Sequence, residues 1–261
     1  MSERLRALFR QKERPPLLFP YLTAGYPKPE ETVDLLSVLE ESGADAIELG
    51  LPFSDPLADG PVIQAASQTA LEAGIDHHRI LEQVAAFRAR SRTPLLLMGY
   101  VNPILAYGAE QFFKDAGEAG ADGVIVPDVP PEEAGPYAPL ARAAGLEWIF
   151  LIAPTTSDAR LTRIDAESDA FCYCVSLTGV TGVREDLPAD LKPYLERAAS
   201  HLSKPFVVGF GFSKPAQLRE VCPPAAGVVV GSALLRRLAG EATPQGRRKA
   251  ARAFMGSLRN A

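Results

Sequence analysis

The 261-residue sequence is poor in the residues that announce disulfide, metal or membrane chemistry. Its three cysteines are an odd and sparse set that supports no disulfide framework and suits a reducing compartment, the cytosol. Its three histidines, His77, His78 and His201, fall on predicted helices away from strand ends. They form neither a metal set nor a Ser-His-Asp arrangement, and they are expected at the surface. The lysines likewise miss the strand ends, which leaves no Schiff-base lysine, although Lys214 is placed to approach a phosphate. No run approaches the roughly 18 apolar residues of a membrane span, and Met1-Ser-Glu-Arg-Leu-Arg6 lacks the apolar stretch of a secretory signal, so neither secretion nor membrane insertion is expected. Charge excess is absent too. With 27 basic and 32 acidic residues the net charge is −5, too little of either sign to favour nucleic acid or acidic membrane, which leaves small molecules and proteins as partners. No linker, low-complexity tract or shift in composition divides residues 1–261, so a single domain is expected.

What is present is an alternation. Short apolar runs rich in β-branched or aromatic residues predict strands at 17–23, 44–49, 94–99, 123–126, 146–152, 170–176, 205–209 and 227–230. Between them lie stretches with apolar residues three or four apart, among them 30–42, 77–92 and 109–119, which read as crossover helices. Ser42-Gly43-Ala44-Asp45, Ala119-Gly120-Ala121-Asp122 and Ala144-Gly145-Leu146-Glu147 each end a helix on glycine and feed a strand. Eight βα units of about 33 residues use the whole length, which predicts an α/β fold of the closed (β/α)8 TIM-barrel type rather than an open doubly wound sheet. An extra N-terminal helix, with Leu5, Leu8 and Phe9 on one stripe, is expected to cover the barrel bottom. The basic residues near the end (Arg236, Arg237, Arg247, Arg248, Lys249, Arg252, Arg259) read as a solvated face on a final helix rather than a nucleic-acid patch, because no aromatic stacking partners accompany them.

In such a barrel, polar residues at the C-terminal ends of strands carry the chemistry. Glu48 interrupts a strand expected to be buried on both faces, where a carboxyl needs a partner or a raised pKa; an ion pair inside the barrel is the alternative. The loop 51–61 follows, with three prolines and two aspartates, Asp55 and Asp59, each of which also suits a plain Asx turn or helix cap. Three strand exits in succession are glycine-rich: 178–182, 209–213 and Gly231-Ser232. Any one is an ordinary turn, but together, near a helix N-terminus, they suit a phosphate. Tyr100 and Tyr173 stand near strand ends and either reach the site or fill the core. Cys172, Cys174 and Trp148 read as core. Apolar residues and prolines crowd three neighbouring exits (Pro52, Phe53, Pro56 and Leu57; 103–105; 129–131) where polar ones are expected, which marks the rim as a protein contact surface.

The segment Ile47-Glu-Leu-Gly-Leu-Pro-Phe-Ser-Asp-Pro-Leu-Ala-Asp-Gly-Pro-Val-Ile-Gln64 closely resembles the tryptophan synthase alpha chain family. Support runs along the chain through Pro20-Tyr-Leu-Thr-Ala-Gly25, Met98-Gly-Tyr-Val-Asn-Pro103, Pro127-Asp-Val-Pro130, Ala153-Pro-Thr155, Gly179-Val-Thr-Gly182, Gly209-Phe-Gly211 and Gly231-Ser232. The resemblance implies a barrel that splits indole-3-glycerol phosphate into indole and glyceraldehyde 3-phosphate. Indole then passes to a beta chain that holds pyridoxal phosphate, in an alpha2beta2 complex, while this chain itself has no cofactor and no metal. It implies Glu48 and Asp59 as the catalytic pair. It implies Tyr21, Tyr100, Tyr173 and Thr181 around the substrate, Gly182, Gly211, Gly231 and Ser232 at the phosphate, and Pro52, Asp55, Asn102 and Pro130 at the partner. Tyr21 stands where phenylalanine often lines the indole pocket, and Val101 where tyrosine or alanine is usual. Two other readings use the same residues: an isomerase of another phosphorylated metabolite, and a non-catalytic subunit that activates a partner. The intact carboxyl pair argues against the second.

Overall fold

A computed structural model describes residues 2–10, 15–175, 187–209 and 211–259. All eight predicted strands are found. They are β1 (Leu17–Thr23), β2 (Ile47–Gly50), β3 (Leu95–Met98), β4 (Gly123–Ile125), β5 (Glu147–Ile149) with its continuation β6 (Leu151–Ile152), β7 (Cys172–Val175), β8 (Phe206–Gly209) and β9 (Gly227–Val230). Pairing is parallel throughout, in the order β5-β4-β3-β2-β1-β9-β8-β7-β6. Because β5 and β6 are one strand parted at Phe150, the sheet returns to its starting strand and closes as a barrel. The predicted strand at 44–49 begins only at Ile47. Asp45 explains the difference: its carboxylate accepts from the backbone N–H of Leu18, so the entry to β2 is held by a side chain.

The helices are α1 (Glu3–Leu8), α2 (Thr32–Glu41), α3 (Pro61–Glu72), α4 (His77–Arg88), α5 (Val101–Tyr107), α6 (Ala109–Ala119), α7 (Ala138–Ala143), α8 (Asp158–Glu167), α9 (Leu191–His201), α10 (Pro215–Val221), α11 (Ser232–Ala239) and α12 (Pro244–Arg259). None in the described residues is long and apolar enough to cross a membrane. Sequence signals account for their ends. Asp76 caps α4 by accepting from Arg79 N at 2.8 Å, and Gly120 ends α6 at φ +92°, where a Cβ would meet Arg88 Cγ at 2.5 Å.

The N-terminal helix does cover the bottom of the barrel. Leu5 is fully buried, Phe9 packs on Phe171 at 5.3 Å between ring centroids, Arg4 and Arg88 reach Asp122, and Arg6 grips Glu147 with two nitrogens. Two expectations are corrected. The C-terminal arginines form a solvated face only in part: Arg236, Arg237 and Arg252 are exposed, but Arg247 is buried against Glu31, and Arg248, Arg252 and Arg259 pair with Asp34, Glu41 and Asp45, so α12 is stitched to α2, the turn before it and the entry of β2. His77 is half-buried rather than a surface residue; its Nε2 is enclosed without a hydrogen-bond partner among the described residues, and its ring meets the edge of Phe112.

Candidate active site

Glu48 projects from the middle of β2 and is 1% exposed. Among the described residues neither carboxyl oxygen makes a hydrogen bond of ordinary geometry, the Tyr173 hydroxyl being the donor that acts on it. A carboxylate stripped of water and of donors is costly, so the neutral form is favoured. Burial first and the neighbouring Asp59 second push its pKa up to about 8, while the Tyr173 hydroxyl acts in the opposite direction. The ion pair that the sequence left open inside the barrel is thus not made among the described residues.

Asp59 comes from the loop between β2 and α3. Leu51 N donates to Met98 O at 2.7 Å, Asp59 N donates to Pro56 O at 3.0 Å, and the Gln64 amide returns from α3 to Asp59 O at 2.9 Å. Pro61 at the first position of α3, after Gly60, starts the helix where the loop must stop. The carboxyl of Asp59, 8% exposed, accepts from the Tyr100 hydroxyl at 3.0 Å, and that hydroxyl in turn accepts from Ala58 N at 3.0 Å. Burial raises Asp59 to about 6 against the pull of that hydrogen bond. Tyr100 itself precedes α5, whose first N–H, on Val101, is taken by Asp128 at 3.1 and 3.2 Å.

Tyr21 and Tyr173 complete the enclosure from β1 and β7. Both are buried, and desolvation, with Asp59 and Glu48 adding to it, raises both phenols well above their usual range. Each hydroxyl is seated over a glycine. A Cβ on Gly50 would lie 2.0 Å from the Tyr21 oxygen, and one on Gly209 2.5 Å from the Tyr173 oxygen. Neither seat, nor Thr23 behind Tyr21, nor the Asp128 cap was read from the sequence; a glycine closing each of two buried strands is the signal that was there.

The glycine-rich exits of β8 and β9 lie side by side, since Gly209 pairs with Val229. Gly211 is left-handed at φ +77°, and Ser232, 3% exposed, opens α11 after Gly231. Thr181 and Gly182 lie outside the described residues. Lys214 is exposed at the head of α10. On the rim, Asp55 and Asn102 are exposed and Pro130 is half-buried. The apolar crowding there is less exposed than expected: Pro52, Pro56, Val129 and Pro131 are buried, while Leu57 is 91% and Leu105 49% exposed. Between the loops after β2 and β3 opens a recess of about 260 Å³, walled by Phe53, Leu57, Tyr100 and Asp128. Among the described residues no group of three His, Cys, Asp or Glu side chains is arranged to hold a metal ion.

Comparison with known proteins adds to this geometry. The sequence model of the tryptophan synthase alpha chain matches residues 7–260. The tryptophan synthase alpha chain of Roseiflexus sp. (strain RS-1) is 51% identical over 219 residues, 84% of each chain. That of Prosthecochloris aestuarii is 43% identical over 256 residues, 95% of this chain and 96% of that one. Among solved structures, the alpha chain of Legionella pneumophila superposes with a TM-score of 0.90 at 38% identity, covering 100% of this chain and 97% of that one. A chain of the tryptophan synthase complex of Pyrococcus furiosus gives 0.86 at 38% identity, covering 94% and 98%. With a family match along nearly its whole length and the same barrel in the solved relatives, this chain belongs to the tryptophan synthase alpha chain family.

Proposed function

We propose that this chain cleaves indole-3-glycerol phosphate to indole and glyceraldehyde 3-phosphate, with Glu48 as the proton carrier and Asp59 as the electrostatic partner. The observation that carries the reading is Glu48: a carboxyl deep in the barrel, without a hydrogen bond of ordinary geometry among the described residues, whose pKa burial pushes up to about 8. The bond to be broken joins indole C3 to a carbon bearing a hydroxyl. Indole leaves readily only once C3 has gained a proton. Glu48 gives that proton to C3. Its carboxylate then takes the proton of the side-chain hydroxyl as the carbon–carbon bond breaks, the bonding pair returns to the ring and the aldehyde forms. Glu48 ends as it began, and nothing is oxidised or reduced. Protonation at C3 leaves positive charge at the indole N–H, which an ionised Asp59 stabilises. The steps need only proton transfer and a fixed charge, so the chain is read as working without a cofactor of its own.

Tyr21, Tyr100 and Tyr173 wall the substrate, with Thr181. Gly182, Gly211, Gly231 and Ser232 hold the phosphate through backbone N–H groups, helped by the N-terminal end of α11. The rim about Pro52, Asp55, Asn102 and Pro130 meets the beta chain, which holds pyridoxal phosphate and accepts the indole in an alpha2beta2 assembly in the cytoplasm. The exposed Leu57 and Leu105 support a covered rim. A steady-state assay of cleavage, with the phosphorylated and the dephosphorylated substrate, tests the reading. Cleavage of the first and much weaker binding of the second are expected, and equal binding of the two forms would remove the phosphate assignment.

A further inference from the structure

Tyr21 is a buried titratable group to which the cleavage steps give no task beyond walling the pocket. It stands on β1 in register with Glu48 of β2. A Cβ placed on Gly231 would lie 3.2 Å from the Tyr21 Cβ, and one on Gly50 would lie 2.0 Å from its hydroxyl, so the ring runs from the β9 exit to a notch in β2. The hydroxyl reaches deepest into that notch, ahead of the ring carbons Cζ and Cε2, which would lie 2.5 and 2.8 Å from the same Cβ. Thr23 Oγ1 donates to the hydroxyl at 3.4 Å. Among the described residues that is its only hydrogen bond, and a buried phenol proton without an acceptor is unfavourable. The groups that face it are Asp59 from the loop after β2, Glu48 from β2, Tyr100 at the head of α5 and Tyr173 from β7, with Asp59 acting on it more strongly than Glu48. The Tyr100 proton is already given to Asp59 Oδ2, which leaves Oδ1 for a second donor.

We propose that Tyr21 is a positioning residue whose hydroxyl, backed by Thr23, donates to the Asp59 carboxylate in the substrate complex and so helps to hold Asp59 ionised opposite Glu48. This deepens the reading of the carboxyl pair and rests on it. A charge-assisted hydrogen bond favours the ionised form of its acceptor, so removing the donor makes Asp59 harder to ionise. Activity that needs ionised Asp59 then begins at higher pH.

The test is the pH profile of kcat/KM for indole-3-glycerol phosphate cleavage by the parent chain and by Tyr21→Phe, Thr23→Val and the double variant. In Tyr21→Phe the acid limb is expected to rise by about half a pH unit or more, roughly a threefold loss on that limb, with the alkaline limb unmoved. Thr23→Val shifts the same limb by less, and the double variant shifts it no further than Tyr21→Phe alone. A Tyr21→Phe profile that superimposes on the parent's, a change confined to the alkaline limb, or a change in KM alone overturns the proposal. If Tyr21→Phe does not keep the parent's circular dichroism and melting temperature, Thr23→Val decides, and an unmoved acid limb there overturns it as well. A parent chain that cleaves nothing at any pH overturns the functional reading instead, and the proposal with it.

Discussion

The two ends of the barrel bury carboxyl groups in opposite ways. At the bottom, Asp122 is fully buried and saturated: Ser2 Oγ, Arg4 Nε, Arg88 Nη2 and Leu95 N all donate to it. Glu147, equally buried, is gripped by the Arg6 guanidinium at 2.9 and 3.1 Å. The device repeats around the rim, where Asp45 accepts from Leu18 N and Asp169 from Trp148 N, each also held by an arginine. Asp122, Asp45 and Asp169, each at a strand entry, thus tie down a backbone N–H in the first two residues of a neighbouring strand. At the top, Glu48 is buried to the same degree, and among the described residues it makes no hydrogen bond of ordinary geometry, with only the Tyr173 hydroxyl acting on it as a donor. Burial therefore does not separate the two sets; the supply of hydrogen-bond donors does. Saturated carboxylates close the barrel, and the starved one holds its proton to higher pH, as the proposed proton carrier must.

The contrast breaks most sharply on substitution of Glu48. Glu48→Gln keeps the shape and removes the proton carrier, so turnover is expected to fall by roughly 10² to 10⁴ fold, with substrate affinity within a few fold. Steady-state kinetics with calorimetric binding checks it, and near-normal turnover would end the assignment. Asp122→Ala is the counterpart at the other end. It leaves Arg88 Nη2 and Leu95 N without their acceptor, and a loss of about 3 kcal/mol or more in urea unfolding is expected, with kcat little changed in the folded fraction.

Titration sharpens the same comparison. Glu48 rises from 4.5 unfolded to about 8 folded, and Asp59 from 3.8 to about 6. Cleavage needs the first protonated and the second ionised, so kcat/KM is expected to be bell-shaped with its top between about 6 and 8, the two limbs belonging to the coupled pair. The sign for stability follows from the same values. A carboxyl with a raised folded pKa stabilises fully below its unfolded pKa and loses that contribution as pH rises through the folded value. Glu48 therefore makes stability decline between about 4.5 and 8, and Glu48→Gln is expected to flatten that part of the profile in denaturant titrations.

Two smaller effects concern the rim. Gly211→Val puts a β-branched side chain at φ +77°, beside the β9 exit, and is expected to weaken inorganic phosphate and substrate together by about tenfold, as read by calorimetry. Leu57→Asp is expected to weaken association with a tryptophan synthase beta chain by severalfold while leaving isolated cleavage nearly intact. Titration of the beta chain with cleavage as readout measures both, and unchanged association would show that this side chain lies outside the contact.

Much of this was legible in the sequence because it depends on local rules. The period of the apolar residues marks each strand and helix, and glycines 43, 120 and 145 turn helix into strand at positive φ as expected. Glu48 was legible as an anomaly, a charge in a strand buried on both faces. The pairing of Arg247, Arg248, Arg252 and Arg259 was not, because their acids lie some 210 residues earlier, on α2, in the turn before it and at the entry of β2. Nor was the half-burial of His77, which depends on where α6 sets Phe112 against α4.

The sequence by itself determined the alternation, the closing count of eight strands and the motif around Glu48 and Asp59, since each is written in residues near one another along the chain. The tertiary structure alone decided which buried carboxyls are satisfied. Asp122 draws its donors from α1, α4 and β3, whereas Glu48 finds only phenols and another acid around it. Hydrogen bonds act over about 3 Å, and only the closed barrel sets residues so distant in the chain within that reach, or keeps them out of it.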